Sequence, residues 1–177
     1  MQRTRSDRAK RITFIIISIA ICLLLIGIDQ LTKFYFKNKY RNEGSTTVID
    51  GFFYFTYTVN TGSAFSFLAG KAWAQTFFKI LTPLTLILFI LLYIHSIKRG
   101  KKFLSIATIS IFSGAIGNYI DRLIFSGVTD FISLKFGSYN FPVFNFADIC
   151  LTVGVIMFII FYAFLDTNAI FNKHGKK

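Results

Sequence analysis

Apolar positions along this chain gather into four long runs, at residues 12–28, 80–97, 103–120 and 146–165. None alternates with period two, and none carries the polar stripe of a surface helix. Each approaches or reaches the length of about 20 residues that an α-helix needs to cross a bilayer. The pattern predicts four transmembrane helices joined by outer loops at 30–79 and 121–145 and by a short link at 98–102. The first 28 residues imitate a secretory signal, a basic stretch followed by an apolar one. The apolar stretch is longer than such signals use, and Asp29-Gln30-Leu31-Thr32-Lys33 follows in place of a small-residue cleavage site, so a retained span is expected. In the first loop, Thr46 to Ile49, Asp50-Gly51 and Phe52 to Val59 read as a β-hairpin, because Asp-Gly suits a two-residue turn. Phe53, Phe55, Tyr57 and Val59 then share one apolar face, expected on lipid headgroups or substrate, or else on the protein's own helices. Asn60 begins a turn, Trp73 fits the interfacial aromatic belt, and Pro83 is expected in the first turn of span two. In span three, Ser110 with Gly114 and Ser113 with Gly117 are pairs of small residues that let helices approach closely. The second loop is read as a short polar loop with Asp130 and a Phe141-Pro142 turn before Asn145.

Composition narrows the class. The chain has 177 residues, is 54% hydrophobic and has a mean hydropathy of +0.57. The four runs leave little room for a soluble domain, so residues 1–177 are expected to form one membrane domain, an all-α polytopic protein with a small extracytoplasmic hairpin. A net charge of +12 would suit nucleic acid if it were gathered on one face. Instead Arg3, Arg5, Arg8, Lys10 and Arg11 precede span one, Lys98, Arg99, Lys101 and Lys102 fill the short link, and Lys173, Lys176 and Lys177 close the chain. By the positive-inside rule these segments and both termini are cytoplasmic, although the first loop also holds six basic residues. No nucleic-acid partner is expected. Cys22 and Cys150 lie in apolar runs, the setting of packing residues rather than disulfides.

Candidate chemistry follows from what is scarce. There are eight acidic residues, seven of them aspartate; one of these, Asp148, opens the last span, and another, Asp130, sits in the polar loop just upstream. Two carboxylates brought together at a membrane surface can share a proton and activate water. The plainer reading is that Asn145 caps the last helix and Asp148 sits in its first turn, where the helix dipole favours negative charge. Asp29, Asn60, Asn118, Asp121, Arg122, Asp130, Asn145 and Asp148 all map to the outer interface from separate segments, as a site would require. For Asp29 and Asp121 structural pairing is favoured, with Lys33 at i+4 and with Arg122 respectively. His95 and His174 lie at the cytoplasmic side, which disfavours a serine triad, a cysteine nucleophile with a histidine base or a histidine-bound zinc. Ser63, Ser66 and Lys71 leave a Ser-Lys dyad open without marking it. A proton-coupled transporter using the outer aspartates and a non-enzymatic scaffold are the rival classes.

Five blocks, taken in order, carry a family resemblance: Asp29-Gln-Leu-Thr-Lys33, Asn60-Thr-Gly-Ser-Ala-Phe65, Gly117-Asn-Tyr-Ile-Asp-Arg122, Val128-Thr-Asp-Phe131 and Phe144-Asn-Phe-Ala-Asp148. The chain resembles the lipoprotein signal peptidases, also called signal peptidase II, over nearly its whole length. The resemblance implies a four-span aspartyl endopeptidase of the bacterial cytoplasmic membrane. Such an enzyme removes signal peptides from prolipoproteins by cutting before a diacylglyceryl-modified cysteine. By motif, Asp130 and Asp148 match the catalytic pair; Asn118, Arg122 and Asn145 match polar residues around it. Asp29 and Asn60 match the substrate pocket, and Asp121 matches a position without a catalytic assignment. Neither metal nor other cofactor is implied; the partners are lipid-modified prolipoproteins and membrane lipids, and the enzyme is expected to be a monomer. Ser126 stands where the family usually has glycine, Thr129 where it has valine, and Ile149-Cys150 where a small polar residue is commoner. The spacing from Arg122 to Asp130 is the family's own. Of the pair, Asp148 at a helix N-terminus is expected to be the ionised member.

Overall fold

The structure is a computed structural model that describes residues 5–42, 44–62, 71, 73–125 and 127–166. Arg3, Ser63 to Phe65, Ser66, Ser126, the three tail lysines and His174 lie outside the described residues. Four helices are long and apolar enough to cross a membrane, as the pattern predicts: α1 Arg5–Tyr40, α2 Ala74–Lys98, α3 Lys102–Ile124 and α4 Phe146–Ile160, the last continued by a π-helical turn Phe161–Leu165. The chain is a multi-pass membrane protein. Between the helices lie β1 Thr46–Ile49, β2 Phe53–Asn60, β3 Val128–Phe136 and β4 Tyr139–Asn140.

Burial sets the helix arrangement. The most apolar windows of α1, α2 and α4 are only 11–17% buried, whereas that of α3 is 56% buried with the lowest mean hydropathy, 1.5. Helix α3 is therefore the centre post, and the outward isoleucines and leucines of the others face lipid. The small residues of α3 divide their work between two neighbours. Ser110 Oγ donates to the Cys150 carbonyl of α4 at 2.7 Å, and Gly114 lies against the backbone of Ala147 and Leu151. On the next face, Ser113 Oγ meets Cys22 of α1 at 3.3 Å, and a Cβ at Gly117 would collide with the Asp29 carboxylate. Close packing of helices within lipid relies on such gaps.

Three expectations about the outer segments change. Helix α1 does not stop near residue 28 but runs to Tyr40, 36 residues or about 54 Å at 1.5 Å per residue, so it overshoots the bilayer core. Helix α2 likewise begins at Ala74 rather than 80, which places Pro83 inside it and not in its first turn. The second loop, read only as a polar loop with a turn, holds two strands. Strand β3 pairs antiparallel with β2, and β4 folds back on β3, giving one four-stranded sheet in the order β1-β2-β3-β4. The fold is mostly helical, with this small antiparallel sheet added to the four helices. The hairpin turn itself forms where Asp-Gly predicts it: the Phe52 N–H donates to the Ile49 carbonyl at 3.1 Å and Gly51 has φ +70°.

The helical overshoot explains what the sheet rests on. Phe36 and Tyr40, one turn apart on α1, lie beneath the strands; the Phe36 ring stacks on Phe131 at 4.3 Å and meets Phe55 at 4.6 Å. Tyr57, Ile132 and Phe146 close the same cluster. Phe55 and Tyr57 thus cover the protein's own helix, not lipid or substrate, because α1 supplies the nearest apolar surface to bury.

Candidate active site

Strand pairing and a helix cap bring the two aspartates together. In β3, Asp130 sits opposite Thr58, and Asn60 opposite Val128, so the end of β2 lies beside Asp130. On the other edge the Phe144 carbonyl accepts the N–H groups of Phe131 and Ile132 at 3.1 and 2.8 Å, and the Phe144 N–H returns to the Ile132 carbonyl at 3.0 Å. That clasp delivers Asn145 beside Asp130 just as the chain turns into α4. There a capping box forms: Asn145 Oδ1 accepts the Asp148 N–H at 3.0 Å, and Asp148 Oδ2 accepts the Asn145 N–H at 3.1 Å. The plainer reading of Asn145 and Asp148 as a helix start is therefore correct, and it does not exclude chemistry. The cap is what aims Asp148.

Asparagine amides meet three of the four carboxylate oxygens, and a backbone N–H meets the fourth. Asn60 Nδ2 donates to Asp130 Oδ2 at 3.0 Å, while its Oδ1 accepts the Gly62 N–H at 2.9 Å. Asn145 Nδ2 donates to Asp130 Oδ1 at 2.6 Å, and Asn118 Nδ2 to Asp148 Oδ1 at 2.8 Å. Because the oxygen of each amide is held by another donor, the amide orientations follow from the network. Asp130 is 2% exposed, whereas Asp148 is half-buried. Burial and then the neighbouring Asp148 charge push the Asp130 carboxyl up to about 7, against the opposing pull of the Asn60 and Asn145 amides.

Both aspartates, with Asn60, Asn118 and Arg122, line a cavity of about 550 Å³. Its apolar side comes from Phe78, Thr82 and Thr85 of α2, Leu134, Phe141 to Phe144, and Leu151 to Val153 of α4. A cavity of that size with few convergent polar groups is the usual form of a ligand site. Arg122 is anchored through Nη1 to the Asn118 carbonyl at 3.2 Å and through Nη2 to the Gly62 carbonyl at 3.1 Å, with its guanidinium 5.0 Å from the Phe78 ring centre.

Two expected neighbours lie elsewhere. Asp121 does not pair with Arg122; adjacent helical residues point about 100° apart. Its Oδ2 accepts the Thr129 N–H at 2.8 Å and lies 3.8 Å from Lys33 Nζ, and its Oδ1 accepts Gln30 Nε2 at 3.3 Å. Asp29 is not among the cavity-lining residues. It pairs with Lys33 at 2.8 Å, as the i+4 spacing predicts, and its Oδ1 accepts the Ala147 N–H at 2.9 Å, bracing the first turn of α4 from behind. Gln30 and Gln75, which the sequence did not single out, serve as braces too; Gln75 Nε2 donates to the Thr61 carbonyl at 2.5 Å. Gln30 lies inside the first motif block, and nothing in the sequence marks Gln75.

Asp121→Asn follows as a stability variant. With Asp121 1% exposed and tied to α1 and β3, it is expected to lower the melting point in detergent. Breaking a buried ion pair costs up to about 3–5 kcal/mol. Turnover per folded molecule should fall less, and an unchanged melting point with lost activity would give Asp121 a chemical role.

A four-span helical bundle with a small sheet over paired, amide-held aspartates describes a class of membrane protein. Comparison with known proteins narrows it to one family. The model of the family described as Signal peptidase (SPase) II matches residues 9–164. The lipoprotein signal peptidase of Listeria welshimeri is 40% identical over 147 residues, 82% of this chain and 92% of that protein. That of Bacillus subtilis is 41% identical over 140 residues, 79% of this chain and 88% of the relative. A solved structure described as a bacterial membrane enzyme superposes with a TM-score of 0.74 at 37% identity, over 90% of this chain and 93% of that one. A second of the same description gives 0.67 at 36%, over 81% and 90%. The chain belongs to the signal peptidase II family.

Proposed function

We propose that this protein is an aspartyl endopeptidase that removes the signal peptide from diacylglyceryl-modified prolipoproteins, cutting before the lipidated cysteine. The observation that carries this reading is the placement of Asp130, raised to about 7, and Asp148 on one cavity. Asp148, ionised, takes a proton from water as the water oxygen attacks the scissile carbonyl. Asp130 gives its proton to the carbonyl oxygen, forming a neutral gem-diol. As the C–N bond breaks, Asp148 passes its new proton to the leaving nitrogen, and a gem-diol hydroxyl returns a proton to Asp130, leaving acid and amine. Asn60, Asn118 and Asn145 hold the pair, and Arg122, anchored on the Asn118 and Gly62 carbonyls, lines the cavity beside it; Asp29 and Asp121 act as structural supports.

The membrane setting supports the same reading. The chain is read as one membrane domain with its basic ends and short basic link in the cytoplasm, which puts the sheet and the aspartates at the outer face. A proton-coupled transporter is disfavoured: among the described residues the fully buried charges, Asp29, Lys33, Asp121, Arg122 and Asp130, cluster at one end, with no charged relay through the bundle.

The test is cleavage of a diacylglyceryl-modified precursor by the purified protein, with the products read by mass spectrometry. The expected fragments are a free signal peptide and a chain beginning at the lipidated cysteine, with unchanged yield in a chelator. A cut elsewhere, or activity that needs added metal, would replace this mechanism.

A further inference from the structure

Lys33 is 3% exposed on α1 and lies outside the cavity lining, yet three polar paths lead from its ammonium toward the two aspartates, two through ion pairs to the residue before each aspartate and one through hydrogen bonds alone. The first runs through Asp29, 2.8 Å from Lys33 Nζ, to the N–H of Ala147, the residue before Asp148. The second runs through Asp121, 3.8 Å away, to the N–H of Thr129, the residue before Asp130. The third is the most direct: Lys33 Nζ donates to Asn118 Oδ1 at 2.9 Å, and Asn118 Nδ2 donates to Asp148 Oδ1 at 2.8 Å.

The third path has a chemical consequence. An amide can present either oxygen or nitrogen to a carboxyl group, and the two choices favour opposite protonation states. Nitrogen facing the group supports the carboxylate; oxygen facing it supports the protonated acid. A lysine ammonium has only donors, so it fixes oxygen on its own side and nitrogen on the far side. Asn145 Nδ2 also reaches Asn118 Oδ1, at 3.1 Å, but the same group serves Asp130 at 2.6 Å and the Thr129 carbonyl at 3.3 Å. The Lys33 ammonium, whose three N–H groups suffice for Asp29, Asp121 and this oxygen, is therefore the closer and better-supplied donor to Asn118 Oδ1.

We propose that Lys33 is a positioning residue for the reaction: by fixing the Asn118 amide it selects Asp148 as the ionised member and leaves the proton on Asp130. This rests on the aspartyl reading given above. The charged groups around Asp148 are Asp29 and Lys33 from α1, Asp121 and Arg122 from α3, and Asp130 from β3. Lys33 alone among them touches the amide that faces Asp148.

The experiment is a double-mutant cycle of Lys33→Met and Asn118→Ala, with kcat and KM measured across pH on a diacylglyceryl-modified precursor and rates scaled to folded protein. Lys33→Met is expected to lower kcat by about 10²-fold, the scale of one general acid–base contribution, with KM unchanged. The shape of its kcat–pH profile should change as well, which a purely structural loss would leave unmoved once rates are scaled to folded protein. Asn118→Ala should produce a similar loss, and the double variant no further loss, because both act through one amide. Should Lys33→Met fail to fold, the cycle is run in the Asp29→Asn background, which removes the carboxylate left unpaired. Wild-type kcat per folded molecule in Lys33→Met, or losses that multiply in the double variant, would overturn the proposal. Asp130→Asn and Asp148→Asn in the same assay separate the two levels. If both are inactive while Lys33→Met is normal, only the role of Lys33 fails. If either retains normal turnover, the aspartyl reading fails.

Discussion

Asp130→Asn and Asp148→Asn are each expected to stop cleavage while leaving the protein folded in the membrane. Each substitution removes one proton carrier, and the remaining aspartate cannot be base and acid in the same step. The expected loss is about 10³-fold or more. The fold should persist because asparagine keeps an acceptor oxygen: at position 148 it can still cap the Asn145 N–H, and at 130 it can still accept from one of the two neighbouring amides. Asp130→Asn carries a second, independent signature. The Asp130 carboxyl titrates near 7 in the folded protein and near 3.8 when unfolded, so between those values the folded state binds the extra proton. Stability from this group is present below about 4 and is lost as pH rises to about 7. The Asp130→Asn variant lacks that decline. Its melting point relative to wild type should therefore climb between pH 4 and 7, then level off. Near-normal turnover in either variant would remove the pair from the mechanism, and parallel melting curves would remove the raised Asp130 proton affinity.

Lipid on the substrate cysteine is expected to matter almost as much. The cavity has apolar walls from α2 and α4 and polar groups at the sheet end, so a soluble peptide must leave water to reach the aspartates. Two acyl chains hold a ligand stably in a bilayer and fix the depth of the bond to be cut in advance. A precursor carrying the diacylglyceryl group should outcompete its unlipidated twin by on the order of 10²-fold in kcat/KM. Equal cleavage of the two would assign recognition to the signal helix alone, without touching the carboxylate chemistry. The aromatic face of β2 takes no part in this expectation, since Phe55 and Tyr57 are committed to α1.

The four spans and the Asn145–Asp148 helix start were legible because each is local: a run of apolar residues, or a cap and its first turn. Asp29 with Lys33 was legible for the same reason. The sheet was half legible. Its hairpin announces itself through Asp50-Gly51, but β3 pairs with a strand some seventy positions earlier, and Asp130 breaks its apolar alternation at the point where the site needs a carboxylate. The overshoot of α1 was hidden by Gln30, Thr32, Lys33, Lys37 and Lys39, whose polarity looks like the end of a span. Phe36 and Tyr40 recur on one face through that stretch, and they have meaning only once the sheet lies above them. Asp121 was misassigned by proximity in sequence, where helix geometry turns neighbours away from each other.

The capping box at the start of α4 also sets a timetable. Asp29 and Lys33 sit one turn apart on α1, so their charges neutralise one another within a single helix, which eases insertion of that span. Asp148 has no fixed direction until Asn145 is clasped to β3 and Ala147 has found the Asp29 carboxylate. A nascent chain halted before residue 145 holds one aspartate of the pair and an open-sided groove in place of the cavity. On the aspartyl reading proposed above, the pair is complete only once the final span docks, so cleavage is expected only from the fully assembled bundle.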